Sequence, residues 1–341
     1  MEQKIKVAIF GVTGYTGIEL LRILSSHKNV SIDSFVSSSH KGKRLSDVLP
    51  TSLCNKYAGY IFKGELDEKP DLAFLCTPHE FSLTEVPKLI KENVKVIDLS
   101  GAYRIKKVEL YQEYYNFMHE FKEILEISVY GLPEIFREEI RRAKLVANPG
   151  CYPTATLLAI YPFIKANIKV DRVIVHAVSG VSGAGRKMKQ VFHFPEMEGN
   201  SFIYSPLKHR HVPEMEDVLE RLGAKVKIRF TPSVIPVSRG MISTVYIQDV
   251  EDKINVYELF YETYREEKFI FVKREPVPIS WVRSTNYVFI TPLYDERTDT
   301  YIIISVIDNL GKGASSQAVQ NMNIMLGYDE SEGILGGPLF V

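Results

Sequence analysis

Three cysteines in 341 residues, Cys54, Cys76 and Cys151, are too few and too odd in number for a disulfide framework, and they lack metal-ligand spacing. No metal site is expected. The three read instead as reduced thiols of a cytoplasmic protein. An excess of one charge is missing too, since 42 Lys and Arg balance 42 Asp and Glu. Without a net field, neither nucleic acid nor an anionic membrane is an expected partner. No apolar run approaches the about 20 residues that span a bilayer. Met1-Glu2-Gln3-Lys4 runs straight into a short apolar strand, with no signal-peptide core. Internal repeats, low-complexity segments and long linkers are also absent. What is present is 45% hydrophobic residues in a chain long enough for two domains and a substantial core.

The pattern of the first half predicts a doubly wound α/β domain. Lys4 to Phe10, Val30 to Val36, Asp71 to Leu75, Lys95 to Leu99 and Lys144 to Ala147 read as strands. Helical stretches run from about Tyr15 to Ser26 and from Glu80 to Glu92, so strands alternate with helices as in a parallel sheet. After Cys151 the pattern changes. Strands at 172–178, 225–230, 241–249, 287–292 and 301–308 come with only one helix among them, near Val256 to Glu267. That predicts a second, α+β domain with a mixed or antiparallel sheet. A last helix, Gly313 to Leu326, is expected to return to the first domain. The expected division is 1–150 with 310–341 for a Rossmann-like cofactor domain, and 151–309 for a catalytic and oligomerisation domain.

Two motifs suggest chemistry. Gly11-Val12-Thr13-Gly14-Tyr15-Thr16-Gly17 follows the first strand and opens the first helix. Glycine there lets the backbone turn tightly and approach a pyrophosphate seated on the helix N-terminus. A tight turn without a ligand is the plain alternative. At the end of the second strand an NAD site would place an acidic residue on the ribose. This chain has Ser37-Ser38-Ser39-His40-Lys41 and then Lys43-Arg44, which suit the 2′-phosphate of NADP(H). The second motif is Asn148-Pro149-Gly150-Cys151-Tyr152-Pro153-Thr154, with one thiol between a turn and a helix-like run. Unpaired N–H groups and the positive end of the helix dipole favour the nucleophilic thiolate there. A small buried cysteine closing a turn is the alternative. Downstream, His209-Arg210-His211-Val212-Pro213-Glu214 supplies two imidazoles, a cation and a carboxylate. Ser179 to Arg186 is too glycine-rich for a strand or helix.

Taken together, these residues resemble the N-acetyl-γ-glutamyl-phosphate reductase family of arginine biosynthesis, itself related to aspartate-semialdehyde dehydrogenase. The resemblance is carried by GVTGYTGIEL at 11–20, DLSGAYR at 98–104, YGLPE at 130–134, NPGCYPT at 148–154, SGVSGAGR at 179–186, HRHVPE at 209–214 and DNLGKGA at 308–314. It implies an NADP(H)-dependent reduction of an acyl phosphate, with Cys151 as nucleophile and His209, ahead of His211, as acid/base. It also implies cofactor contacts from Gly11, Thr13, Gly14, Tyr15, Thr16, Gly17, Ser37, Ser39, Lys41, Pro78, Asn309 and Gly311. Arg104 and Arg186 are the expected anchors for phosphate and carboxylate, joined by Ser182, Tyr204 and Glu214. A homo-oligomer, dimer or tetramer, follows from the family. Two positions depart from its pattern: Ser38, where an Arg is expected within Ser37 to Lys41, and Glu80, where Pro-His-Gly is expected. The alternatives are aspartate-semialdehyde dehydrogenase and the aminoadipyl-phosphate reductase of lysine biosynthesis. As that relative's counterparts of SGVSGAGR and HRHVPE differ, the chain sides with the arginine enzyme.

Overall fold

The computed structural model describes residues 4–49 and 55–339; Cys54 lies outside them. The chain forms two compact units. The first comprises Met1–Lys106, His119–Pro149 and Ala314–Leu335; the second comprises Lys107–Met118, Gly150–Gly313 and Gly336–Val341. One break between the units falls between Pro149 and Gly150. The segment 107–118, expected in the first domain, belongs to the second unit.

Six parallel strands make the sheet of the first unit: β1 (Ile5–Phe10), β2 (Val30–Val36), β3 (Leu72–Leu75), β4 (Lys95–Asp98), β5 (Val129–Tyr130) and β6 (Leu145–Ala147), ordered β2-β1-β3-β4-β6-β5. Their near-continuous apolar runs are those of strands covered on both faces. Val7, Ala8 and Ile9 in β1 and all of β3 are 0% exposed. The strand order reverses direction at β1, with β2 on one side and β3 on the other. In such sheets ligands settle in the crevice beyond the strand ends at this switch point. The final helix, Ser316–Leu326, is held to this unit by polar bonds: Asn321 donates to the carbonyl of Gly131 (2.9 Å), and Lys95 to that of Met325 (3.0 Å).

The second unit carries a mixed sheet of seven strands. They are β7 (Arg172–Gly180), β8 (Phe202–Ile203), β9 (Lys227–Ile235), β10 (Met241–Ile247), β11 (Ile270–Val272), β12 (Val288–Asp295) and β13 (Thr300–Ile307). The order is β11-β12-β13-β10-β7-β9-β8, with β7/β9 and β11/β12 parallel and the other pairs antiparallel. The helices Cys151–Lys165 and Val256–Tyr264 pack against it through Phe163, whose ring lies 5.9 Å from Phe260 and 5.7 Å from Tyr301. Deep in that layer Thr156 and Ser243 share a hydrogen bond of 2.9 Å. This bond fixes the helix that begins at Cys151.

Candidate active site

In the first unit the glycine loop is built as a cradle with no room for a Cβ at Gly11 or Gly17. Gly11 sits at φ +75°, and a Cβ there would lie 2.5 Å from the Cys76 carbonyl oxygen. A Cβ on Gly17 would lie 2.5 Å from the Gly11 carbonyl oxygen. Gly14 caps the helix Tyr15–Ser25, and the carbonyl of Thr16 accepts a bond from Ser315 (2.8 Å). Thr13, Tyr15 and Thr16 thus belong to one turn at the end of β1. Pro78 caps the neighbouring helix His79–Lys91 just past β3. Beyond β2, Ser37 Oγ lies 3.2 Å from Ser39 Oγ and 3.1 Å from His40 Nδ1, while Ser39 Oγ lies 3.0 Å from that same nitrogen. The Lys41 side chain runs across Gly64, whose Cβ, if present, would meet it at 2.9 Å. A backbone cradle at the end of β1, with hydroxyls and a lysine beyond β2, fits a nicotinamide dinucleotide. Arg104, expected at the substrate, is buried and gives Nε–H to the Asn148 carbonyl (2.7 Å) and a terminal N–H to that of Leu99 (2.8 Å).

In the second unit Cys151 is the first residue of the helix Cys151–Lys165, with Gly150 as its cap. Two groups fix its position. Glu214 is fully buried, and its Oε1 accepts the Gly150 N–H at 2.8 Å, so this carboxylate braces the turn before the thiol. Gly313 lies behind it: a Cβ there would stand 2.7 Å from Cys151 Cβ. Glu214 and Asn309 were expected to meet ligands, yet both have internal tasks. The Asn309 Oδ1 accepts from Gly240 N–H (2.6 Å), and its amide nitrogen donates to Ser182 Oγ (2.9 Å), which ties down the glycine-rich loop. Gly311 is packed against the Thr285 carbonyl, 2.2 Å from where a Cβ would lie.

His209 sits in an aromatic box. The rings of Tyr152, Tyr204, Phe230 and His211 lie 5.8, 5.6, 5.2 and 4.8 Å from its own. Burial, reinforced by the Arg210 charge, lowers its pKa to about 4, so the ring is neutral near pH 7. His209 Nδ1 accepts the backbone N–H of His211 at 3.2 Å. In a neutral ring that acceptor role places the proton on Nε2. Tyr204 donates to Tyr152 Oη (3.3 Å), and Tyr152 to the Ser233 carbonyl (3.3 Å). Burial pushes the Tyr204 phenol up to about 12, which keeps it a donor.

Cys151, Tyr204, His209 and His211 line one cavity of about 600 Å³. Ser182 and Arg186 do not line it, and Arg186 is exposed on the loop beyond. Sequence reasoning missed Lys189, Lys208, Phe192 and Phe202, which do. Their only sequence signal is that they flank the glycine-rich and HRHVPE motifs.

Residues 6–143 match the family model of the semialdehyde dehydrogenase NAD binding domain, and 151–309 that of the semialdehyde dehydrogenase dimerisation domain. The chain is 59% identical to the N-acetyl-gamma-glutamyl-phosphate reductase of Aquifex aeolicus over the whole of both chains. It is 44% identical to that of Methanocaldococcus jannaschii, over 96% of this chain and 97% of the relative. Among solved structures, aspartate semialdehyde dehydrogenase II of Vibrio cholerae superposes with a TM-score of 0.72 at 18% identity, covering 96% of this chain and 99% of the other. The Candida albicans aspartate semialdehyde dehydrogenase with NADP gives 0.73 at 13%, covering 95% and 99%. These two likenesses concern the fold. A parallel cofactor sheet, a mixed second sheet, a cysteine opening a helix and full-length identity to the reductases lead to one assignment: the chain belongs to the N-acetyl-gamma-glutamyl-phosphate reductase family, within the semialdehyde dehydrogenases that use a nicotinamide cofactor.

Proposed function

We propose that the protein reduces N-acetyl-γ-glutamyl phosphate to N-acetylglutamate 5-semialdehyde with NADPH, releasing phosphate, through a thioester on Cys151. The observation that carries this reading is one cavity shared by a helix-opening thiol, an imidazole kept neutral and the cations Lys189, Lys208 and Arg210. The Cys151 sulfur attacks the acyl carbon, and the carbon–oxygen bond to phosphate breaks. The leaving phosphate takes the electron pair and ends with the thiol proton. Splitting one hard reduction into capture and release lowers each barrier. When bound, the nicotinamide supplies the hydride that reduces the thioester carbon. His209 Nε2–H donates to the oxyanion that then forms on that carbon, and backbone N–H groups at Cys151 support it. The oxyanion collapses to the aldehyde, the carbon–sulfur bond breaks and the thiolate returns.

Cofactor choice belongs to the same proposal. The hydroxyl cluster of Ser37 and Ser39, with Lys41 and Lys43 and no acid between Ser37 and Arg44, favours a 2′-phosphate over a bare ribose. Arg104 is proposed as an anion anchor for the substrate, its guanidinium oriented by two backbone carbonyls of the first unit. A homo-oligomer built on the second unit is proposed from the dimerisation domain that residues 151–309 match. The test is phosphate-dependent NADP⁺ reduction with N-acetylglutamate 5-semialdehyde. A protein that reduces NADP⁺ only with aspartate semialdehyde would defeat the reading.

A further inference from the structure

The lining of the Cys151 cavity is uneven in charge. Lys189, Lys208 and Arg210 contribute three cations to it, and no aspartate or glutamate lines it among the described residues. Glu214, close in sequence, is turned to the Gly150 N–H and is fully buried. Glu113 reaches Lys208 only at 3.9 Å, from a surface position. A ligand carrying an ammonium would therefore enter a cationic site with no counter-ion, at a desolvation cost nothing there offsets.

The lining is uneven in polarity as well. Phe192 and Phe202 line it with their rings 6.0 Å apart and tilted by 32°, beside Val191 and Val234. The wall is built into the fold. Phe202 stands on the edge strand β8 opposite Val234 of β9, and Phe192 closes the turn Gln190–Phe192. Both rings are half-buried. Phe202 and Tyr204 are two residues apart along an extended edge, so they share a face.

We propose that Phe192, Phe202 and Val191 form an acylamide subsite, and that this wall and the cationic lining together select substrates whose α-nitrogen is acylated over those with a free α-amine. Acylation removes the positive charge the cations repel and adds an apolar methyl for the aromatic pair. The inference rests on the reading that the substrate is an N-acetylated acyl phosphate, and it names what enforces that choice.

The test uses N-acetyl-, N-formyl- and unmodified L-glutamate as competitive inhibitors of N-acetylglutamate 5-semialdehyde oxidation by the full chain. In the unmodified protein N-formylglutamate should bind about 4-fold more weakly than N-acetylglutamate, the worth of one buried methyl. L-glutamate should bind at least about 100-fold more weakly, because its ammonium is unpaired. Phe192→Ala and Phe202→Ala should each bring the acetyl-to-formyl ratio toward one. Phe202→Leu keeps the apolar packing of β8, so it should show an intermediate ratio even if the alanine variant unfolds. Lys189→Glu should narrow the gap between L-glutamate and N-acetylglutamate at least tenfold. Equal binding of L-glutamate and N-acetylglutamate by the unmodified protein would overturn the inference, and so would an acetyl-to-formyl ratio untouched by the phenylalanine variants. Both outcomes leave the activity itself standing. A protein that does not oxidise the semialdehyde at all would instead remove the functional reading, and the subsite with it.

Discussion

Cys76 and Cys151 are both half-buried cysteines beside glycine turns, yet their surroundings suit them to different ends. Desolvation pushes the Cys76 thiol up to about 12, so it stays protonated and inert. Cys151 opens a helix of fifteen residues, next to the cavity that holds His209. Cys151→Ser should therefore abolish nearly all turnover while thermal stability and cofactor binding persist, and Cys76→Ser should remain active. Wild-type rates in the Cys151 variant would exclude a covalent path. The two histidines can be separated in the same way. His209 Nδ1 is occupied by a backbone N–H, so its useful proton is on Nε2. His209→Asn should lower kcat about 10²–10³-fold, the usual loss of an oxyanion donor, with little change in KM for NADPH. His211→Asn keeps the backbone N–H that sets the His209 tautomer, so it should act mainly on substrate KM. Should His211→Asn abolish turnover while His209→Asn does not, the roles must be exchanged.

At the scale of elements, the site depends on loops held by close packing. Gly313→Ala would put a methyl 2.7 Å from Cys151 Cβ, and the nucleophile must shift to accommodate it. Since a misplacement of about 1 Å costs on the order of 10²-fold, kcat/KM should fall by that order while circular dichroism stays native-like. An unchanged rate would mean that the loop does not set the thiol. Charge removal at Lys41 and Lys43 should raise KM for NADPH several-fold and leave KM for NADH nearly unchanged; an equal effect on both would move the 2′-phosphate contact elsewhere. Five of the six strands of the first sheet were readable because buried runs such as Val7 to Phe10 leave a strong signal. The two- and three-residue strands β5, β8 and β11 were not, since they are too short for any periodicity. β9 was misplaced at both ends, starting at Lys227 rather than Lys225 and continuing past Phe230 to Ile235. Cys151, Tyr204 and the histidines, which line one cavity, were candidates by residue type, and all but Tyr204 by motif as well. The aromatic wall was not, because Phe202 faces the cavity only through its pairing with Val234, a long-range contact that no local pattern encodes. Glu214 and Asn309 were visible as polar motif residues, while their bonds to Gly150, Gly240 and Ser182 exist only in the folded chain.

Over the whole molecule, acidic and basic residues balance, but burial sets individual charges apart in ways that pH can reveal. His209, His27 and His119 all have pKa values lowered by burial. A histidine whose folded pKa lies below its unfolded value contributes fully above about 6.5 and loses that contribution as pH falls toward the folded value, because the unfolded chain binds the proton more readily. Asp98 and Asp308 are raised by burial instead, and Arg239 partly offsets the shift at Asp308. Their stability is lost as pH rises through the ordinary carboxylate range, so they oppose the histidines in the acid window. A pH titration of the unmodified protein therefore mixes the two. Comparison with His209→Asn isolates the single ring, since the variant keeps every other group. Between pH 7 and pH 4 the unmodified protein should lose about 3 kcal/mol more unfolding free energy than the variant, the equivalent of a drop from 6.5 to about 4. Chemical denaturation at several pH values measures this difference directly. If the two proteins lose stability in parallel, His209 is solvated enough to titrate normally, and a neutral imidazole at the thioester oxygen loses its basis.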